Sequence, residues 1–143
     1  MPEYGFRIDM RELPPGIPKE LERKLRRASG RTLTKVINRL DKNIKQGMAA
    51  RKSGRIYKRG KNRKHQASAP GEYPAVDTGR LRNSLGKSEP SSLDDLTAEI
   101  FTRISYAALL EEEKNRPFIS QGLEQTRPYF AETLEKEVNR VKV

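Results

Sequence analysis

Residues 18–48 read PKELERKLRRASGRTLTKVINRLDKNIKQGM. Apolar residues recur in this stretch at helical spacing, while Arg and Lys recur on the other faces. Pro18 suits the first turn of a helix, where its missing N–H costs nothing. The stretch therefore predicts one long amphipathic helix of about eight turns, contained in residues 17–52. Its apolar positions are Leu21, Leu25, Ala28, Leu33, Val36, Ile37, Leu40, Ile44 and Met48.

Two segments flanking this helix alternate with a period of two, which is typical of half-buried strands. Residues 4–10 place Tyr4, Phe6, Ile8 and Met10 on one side, within an N-terminal strand or arm over residues 1–16. Residues 95–104 alternate again, and residues 84–88 are their expected antiparallel partner across the loop 89–94. The second strand turns one face to the core through Leu96, Ala98, Ile100, Thr102 and Ile104.

Helical segments complete the chain. Thr78 is the expected cap of a short helix over residues 79–85, and residues 106–113 predict a second short helix. A C-terminal amphipathic helix, interrupted or kinked near Pro128, is marked by Ile119, Leu123, Phe130, Leu134, Val138 and Val141. The order predicts one α+β domain over residues 1–143, with the long N-terminal helix and the C-terminal helix packed on a small antiparallel sheet. Residues 79–143 would hold the short helix, the β-hairpin and the C-terminal helix.

Between residues 53 and 78 the periodicity disappears, and this basic loop is expected to be extended, a hairpin or disordered. The chain of 143 residues carries a formal charge of +11. Residues 1–80 hold 21 Lys and Arg against 8 Asp and Glu, whereas residues 81–143 hold 9 against 11. Residues 42–71 contain ten basic residues and no acidic one. Such a charge distribution indicates an acidic or polyanionic partner, or neighbours of opposite charge.

Residues suited to catalysis or to metal binding are scarce. Cysteine is absent and His65 is the single histidine, so we predict neither a metal site, a cofactor nor an enzyme. The acidic runs Asp94-Asp95 and 111–113 are interpreted as solvated faces. No run of apolar residues is long enough to span a bilayer or to act as a signal peptide, so we expect no membrane partner and no export.

The basic loop has two features that a merely solubilising loop does not need. Ile56-Tyr57 lies between Gly54 and Gly60 and could pair as a short strand, and residues 69–72 predict a type II turn. We therefore expect an assembly or interaction loop. Its residues are Arg51, Lys52, Arg55, Ile56, Tyr57, Lys58, Arg59, Lys61, Arg63, Lys64, His65, Pro70, Gly71, Thr78 and Arg80, of which Lys58, Arg59, Lys61, Arg63 and Lys64 are candidates for DNA phosphate contacts.

The residues around this loop resemble a family of tailed-bacteriophage proteins. These are the head-tail joining or tail-completion proteins, also called neck proteins. The resemblance is carried by SGRIY at residues 53–57 and by HQASAPGEYPAVDTGRLRNSL at residues 65–85. It continues with Tyr106-Ala107 leading to Glu111, and with RPFI at residues 116–119. Family members often have a Gly-Thr turn shortly after the matching glutamate, whereas residues 112–115 read EEKN in this chain.

The resemblance implies a non-enzymatic virion component without a cofactor, made in the host cytoplasm and placed at the head-proximal end of the tail. The expected partners are copies of itself, in a hexameric or other closed ring, and the adjoining neck, connector and tail terminator or tube proteins. The basic loop would face neighbouring subunits or make non-specific contacts with packaged DNA. Unlike surfaces on the two halves of one chain suit the head-to-tail interface that a ring requires.

Two other classes of protein are alternatives to this one. A cellular protein that binds nucleic acid without sequence preference would use the same basic loop. However, the chain holds only nine Tyr and Phe residues together, and no predicted strand carries an aromatic cluster of the kind that stacks bases. An enzyme ranks third, since no nucleophile has a base beside it in the sequence.

Overall fold

A computed structural model describes residues 4–58, 60, 64–76, 79–112 and 114–141. Helices and a small antiparallel sheet alternate along the chain, so the predicted α+β class is confirmed. The elements are β1 (Tyr4–Asp9), α1 (Lys19–Ala49), β2 (Ile56–Lys58), β3 (Lys64–Gln66), α2 (Arg80–Ser84), β4 (Gly86–Ser88), β5 (Thr97–Thr102), α3 (Ala107–Glu112) and α4 (Ile119–Asn139).

The main sheet has three antiparallel strands in the order β1-β5-β4. Strand β5 lies in the centre, and the predicted pairing of residues 84–88 with residues 95–104 is confirmed. Alternate side chains of the β5 segment, Leu96, Ala98 and Ile100, are almost completely buried. Helix α1 covers this face, and its residues Leu33, Val36, Ile37, Leu40 and Ile44 are 0 to 2% exposed. The long apolar stripe of α1 therefore builds the core, as its spacing predicts.

Helix α4 packs antiparallel against α1. Near the start of α4, a Cβ on Gly122 would lie 2.5 Å from Ile44 Cγ1, so the two helices approach too closely there for any side chain. Further along, Asn43 donates to the hydroxyl of Thr126. Near the end of α4, Glu137 meets the first half of α1. The small residues of α4, rather than its large ones, thus set its distance from α1.

The apolar stripe predicted for α4 is only partly the buried one, and this corrects the sequence prediction. Ile119 is buried, but Val138 is 42% exposed, whereas Thr133 and Glu137 are buried against α1. The buried carboxylate is stabilised by cations on α1, which no local pattern reveals. The predicted interruption near Pro128 is also absent, because α4 is continuous through that residue. Pro128 lies on the exposed side, where water can satisfy the carbonyl that lacks an N–H partner.

Strand β1 forms the edge of the sheet and is confirmed, but Phe6 is 42% exposed rather than buried. Phe6 pairs with Ile100 in register and so lies on the core side of the sheet. There it lines an open groove of about 360 Å³, where α4 does not reach the edge strand. Leu123 and Phe130 of α4 line the same groove and are half-buried for the same reason.

Candidate functional site

The basic loop predicted at residues 53–78 contains a β-hairpin. Strand β2 pairs antiparallel with β3, and this pair forms a sheet separate from the main one. Backbone hydrogen bonds between Gly54 and Ala67 and between Ala67 and Arg55 continue the ladder beyond the two strands. A Cβ on Gly54 would lie 2.4 Å from the carbonyl oxygen of Ala67, so the close approach of these two backbone segments requires glycine at residue 54. We call residues 53–68 the arm.

The arm exposes apolar and basic side chains together. Ile56 is 60% exposed and Tyr57 is 43% exposed, although both could have been expected in a core. The guanidinium of Arg55 lies 5.3 Å from the ring centre of Tyr57, where the ring face attracts a cation. Among the other predicted contact residues, Arg51, Lys58 and Lys64 are exposed. Arg59, Lys61 and Arg63 lie outside the described residues, and their part in an interaction stays a prediction.

A single acid, Glu72, holds the two ends of the arm together. Its carboxylate accepts hydrogen bonds from the backbone N–H of Ala69 at 2.6 Å and of Ser53 at 3.2 Å, and from the Ser53 hydroxyl at 3.0 Å. These hydrogen bonds lower the pKa of Glu72, and the bond from Ala69 has the largest effect. Residues 42–71 contain no acid, and the first acid after them, Glu72, is the residue that joins the two ends of the arm. Sequence reasoning missed Glu72, because its partners lie 3 and 19 residues away.

Lys52 departs from the prediction that it belongs to an exposed interaction loop. It is 9% exposed, and its ammonium donates to the carbonyl of Gly47 in the last turns of α1. Its nitrogen lies 6.0 Å from the ring centre of Tyr73, and burial lowers its pKa. The Tyr73 hydroxyl in turn donates to Gln125 of α4 at 2.8 Å, and burial raises the pKa of Tyr73 to about 12. Lys52 therefore anchors the arm to the two long helices.

The turn predicted at residues 69–72 is present. Glu72 N–H donates to Ala69 O at 3.1 Å, and Gly71, which follows Pro70, has φ +87°, as a type II turn requires. Gly71 N–H also donates to the carbonyl of Asn115 at 2.7 Å. Asn115 itself has φ +50°, a conformation that asparagine tolerates better than most residues. Asn115 thus supports residues 69–72, which we call the foot of the arm.

Glu111 joins this region to α4. Its carboxylate accepts hydrogen bonds from the backbone N–H groups of Phe118 at 2.7 Å, Ile119 at 3.2 Å and Ser120 at 2.7 Å. These groups at the start of α4 would otherwise lack partners, since the first turn of a helix offers none. A carboxylate is also favoured there by the helix dipole. Glu111 therefore caps α4 from a different helix, a role that sequence spacing alone did not predict.

A cleft of about 440 Å³ lies at the foot of the arm. His65 of β3 and Arg80 of α2 line it, and the Arg80 guanidinium lies 6.0 Å from the ring centre of Tyr106. The cap of α2 is Gly79, with φ +80° and no side-chain hydrogen bond to the helix. The predicted cap, Thr78, lies outside the described residues. The structure thus brings His65 and Arg80 together at the cleft, and His65 also lies opposite the exposed Tyr57 of β2 in the register of the hairpin.

No group of three or more His, Cys, Asp or Glu residues suited to holding a metal ion occurs among the described residues. None of the helices described is sufficiently long and apolar to cross a membrane. Comparison with protein-family models, with curated proteins and with solved structures gave no match to this chain.

Proposed function

We propose that this chain is a structural virion protein of a tailed bacteriophage, a tail-completion or head-tail joining protein that assembles as a ring at the head-proximal end of the tail. One observation carries the proposal. The two longest stretches that resemble the phage neck proteins, residues 53–57 and 65–85, include Ile56 and Tyr57 of β2, which are exposed, and His65 and Gln66 of β3, which pair with them. The resemblance therefore includes the exposed apolar residues of the arm.

The exposed side chains of the arm support an assembly role. Burying Ile56 and Tyr57 against a neighbour would remove apolar surface from water, at about 25 cal/mol per Å². The two strands expose backbone hydrogen-bonding groups as well, since β2 and β3 pair only with each other among the described residues. An arm of this kind gains contact area from a small protein by lying across the next subunit.

The anchoring of the arm supports the same role. Glu72, Lys52 and Tyr73 fix the foot to α1 and α4, so the arm leaves the body in a defined direction. A preset direction lowers the entropy lost when the arm meets a neighbour. It also favours one geometry of association, which a closed ring needs.

Microscopy and light scattering test this proposal. We expect negative-stain images of the purified protein, or of tails that carry it, to show rings or incorporation at the end of the tail. The double variant I56S/Y57S should fold as the parent does but fail to assemble. Its matched control, L93S/L109S, removes two leucines that are 38% and 40% exposed elsewhere and should assemble normally.

A deletion gives a second test of the arm. Removing residues 54–64 should leave the helices and main sheet folded, because little core lies there, yet block the formation of infectious particles. L40D should instead unfold the body, since Leu40 is fully buried. Circular dichroism distinguishes these two failures. A normal particle yield from the deletion would remove the arm from the mechanism.

A second candidate is non-specific nucleic-acid binding, favoured by the exposed cations Arg51, Arg55, Lys58 and Lys64 of the same region. Such binding would weaken steeply with salt. A strictly monomeric protein that binds DNA or RNA at nanomolar concentration and never associates with particles would support this second function and overturn the first.

A further inference from the structure

The cleft at the foot of the arm combines cations from two separate segments. Arg82 comes from α2, while Lys114 and Arg116 come from the turn between α3 and α4. These cations add to His65 and Arg80, which line the same cleft. The described residues that line it include no Asp or Glu. Arg82, Lys114 and Arg116 thus concentrate positive charge in the cleft, although they come from residues 81–143, which carry a slight excess of acids.

The three added cations are not neutralised by the described part of the chain. Arg116 donates to neutral groups, the Ser68 hydroxyl at 2.8 Å and the carbonyl of Lys114 at 2.6 Å. These bonds hold its guanidinium in place without cancelling its charge. No carboxylate among the described residues forms an ion pair with Arg82 or Lys114. Charges gathered in a cleft repel one another unless an anion lies between them.

The floor of the cleft is apolar. Met48 at the end of α1 and Leu81 of α2 are 2% and 9% exposed, and Leu110 of α3 is partly buried beside them. The aromatic ring of Tyr106 forms part of the wall. A ligand that fits this site must carry negative charge at its edge and an apolar group toward its centre. The volume of the cleft, about 440 Å³, lies within the range of roughly 300–1,000 Å³ that is typical of ligand-binding pockets.

We propose that this cleft binds an acidic peptide segment with apolar side chains, contributed by an adjoining protein. The inference rests on the proposed function only for the source of the peptide, a neighbour in the particle. Carboxylates would meet Arg82, Lys114 and Arg116, and an interleaved apolar side chain would pack on Leu110 and on the ring of Tyr106, which are only partly buried. Arginine suits this task because its planar fork can hold a carboxylate by two hydrogen bonds.

The shape of the site favours a peptide over duplex DNA. The phosphates of a duplex lie on a broad convex surface, and they are bound by cations that project outward. The cations of the cleft instead surround a concave space with an apolar floor, which a phosphate backbone would leave uncovered. The exposed cations of the arm, Arg55, Lys58 and Lys64, are the ones whose position suits DNA.

Fluorescence anisotropy with defined peptides tests the inference on the purified full chain. The probe is a labelled peptide that alternates Glu and Leu; its comparison peptides alternate Gln with Leu and Glu with Ser. We expect the Glu-Leu peptide to bind at least about tenfold more tightly than either comparison peptide. The Gln-Leu peptide lacks the negative charge, and the Glu-Ser peptide lacks the apolar side chains. Equal binding of all three peptides would overturn the inference.

Variants locate the site. R82Q/K114Q removes two cations from the cleft and should weaken binding of the Glu-Leu peptide by about tenfold. Its control, R23Q/K42Q, removes two exposed cations of α1 outside the cleft and should bind as the parent does. Equal loss in both variants would mean a general effect of net charge and would contradict a site in the cleft.

A labelled DNA duplex separates the two kinds of anion. If R82Q/K114Q loses duplex binding and keeps peptide binding, the cleft is a phosphate site and the peptide assignment is wrong. Peptide binding that depends on Arg82 and Lys114 supports the inference even when the chain never joins a particle. In that case the proposed function fails and the peptide site stands, so the two failures are distinguishable.

Discussion

Glu137 provides the sharpest test of how the two long helices are held together. Its side chain is 1% exposed, and its oxygens lie 2.7 Å from Arg31 Nε and 2.7 Å from Lys35 Nζ. Arg140 adds a longer contact at 3.5 Å. The hydrogen bonds from Arg31 and then Lys35 lower the pKa of Glu137 from 4.5 to about 2. The variant E137Q keeps the shape of the side chain and removes its charge.

The expected cost follows from this pKa and from the exposure of the partners. A fall from 4.5 to about 2 corresponds to at most about 3.5 kcal/mol, at ~1.4 kcal/mol for each pKa unit. The Arg31 and Lys35 side chains are 46% and 45% exposed, so solvent screens the interaction and rehydrates both cations after the substitution. We therefore expect E137Q to lose about 2 kcal/mol, less than when a buried charge is left unpaired. Its Tm should fall by about 6 °C.

The pH dependence has a definite sign. A lowered folded-state pKa means that the unfolded chain binds the proton first as the pH falls. The stability contributed by Glu137 is therefore complete above pH 4.5 and is lost between pH 4.5 and about 2. The difference between the parent and E137Q should be largest near about pH 7 and should shrink markedly by about pH 3.

Urea unfolding followed by circular dichroism measures both effects. The control is E135Q, which changes an exposed acid two residues away on the same helix and should stay within about 0.5 kcal/mol of the parent. If E137Q and E135Q unfold at the same urea concentration at neutral pH, the buried carboxylate does not hold α4 to α1. A loss that stays undiminished at low pH would point to packing rather than charge.

Two further predictions concern the foot of the arm. E111A removes the acceptor for three N–H groups at the start of α4 and should lower the free energy of unfolding by about 1–2 kcal/mol. E112A, which changes an exposed neighbour, should lower it little. Equal Tm values for the two variants in thermal unfolding would disprove the cap. G54A forces a Cβ against the Ala67 carbonyl, so it should speed hydrogen exchange of the backbone amides in the arm while those of the helices and main sheet stay protected. In the control G30A the new Cβ would make an ordinary contact at 3.6 Å, so exchange in the arm should not change. Unaltered hydrogen exchange of the Ala67 amide in G54A would contradict the close approach of residues 54 and 67.

The elements that the sequence predicts well are those whose signals are local and long. Helix α1 repeats its apolar pattern over 31 residues, so no single exception changes the interpretation. The pairing of β4 with β5 needs only one short connection, and the turn at residues 69–72 needs only its own Pro70 and Gly71. In each case the physical cause lies within a few residues of its effect.

The elements that the sequence does not predict depend on distant partners. Glu137 is buried because Arg31 and Lys35 lie beside it, 106 and 102 residues away in the chain. Lys52 is buried because the end of α1 offers a carbonyl and Tyr73 offers a ring. The cations of the cleft come from segments whose meeting depends on the fold. Charge runs in the sequence indicated the arm, but they gave no indication of this cleft.

Under the two proposals, the arm and the cleft would use the charge of this chain in two separate ways. The exposed cations of the arm can be attracted over a distance and in many orientations, which speeds an encounter with an acidic neighbour. In the cleft, Arg116 is held in place by its hydrogen bond to Ser68, and the cations surround an apolar floor. Such a site discriminates between partners, because a wrong segment leaves charges unpaired. A chain that joins a particle in one position and in one order, as we propose, would need both properties, and His65 of β3 belongs to the arm and also lines the cleft.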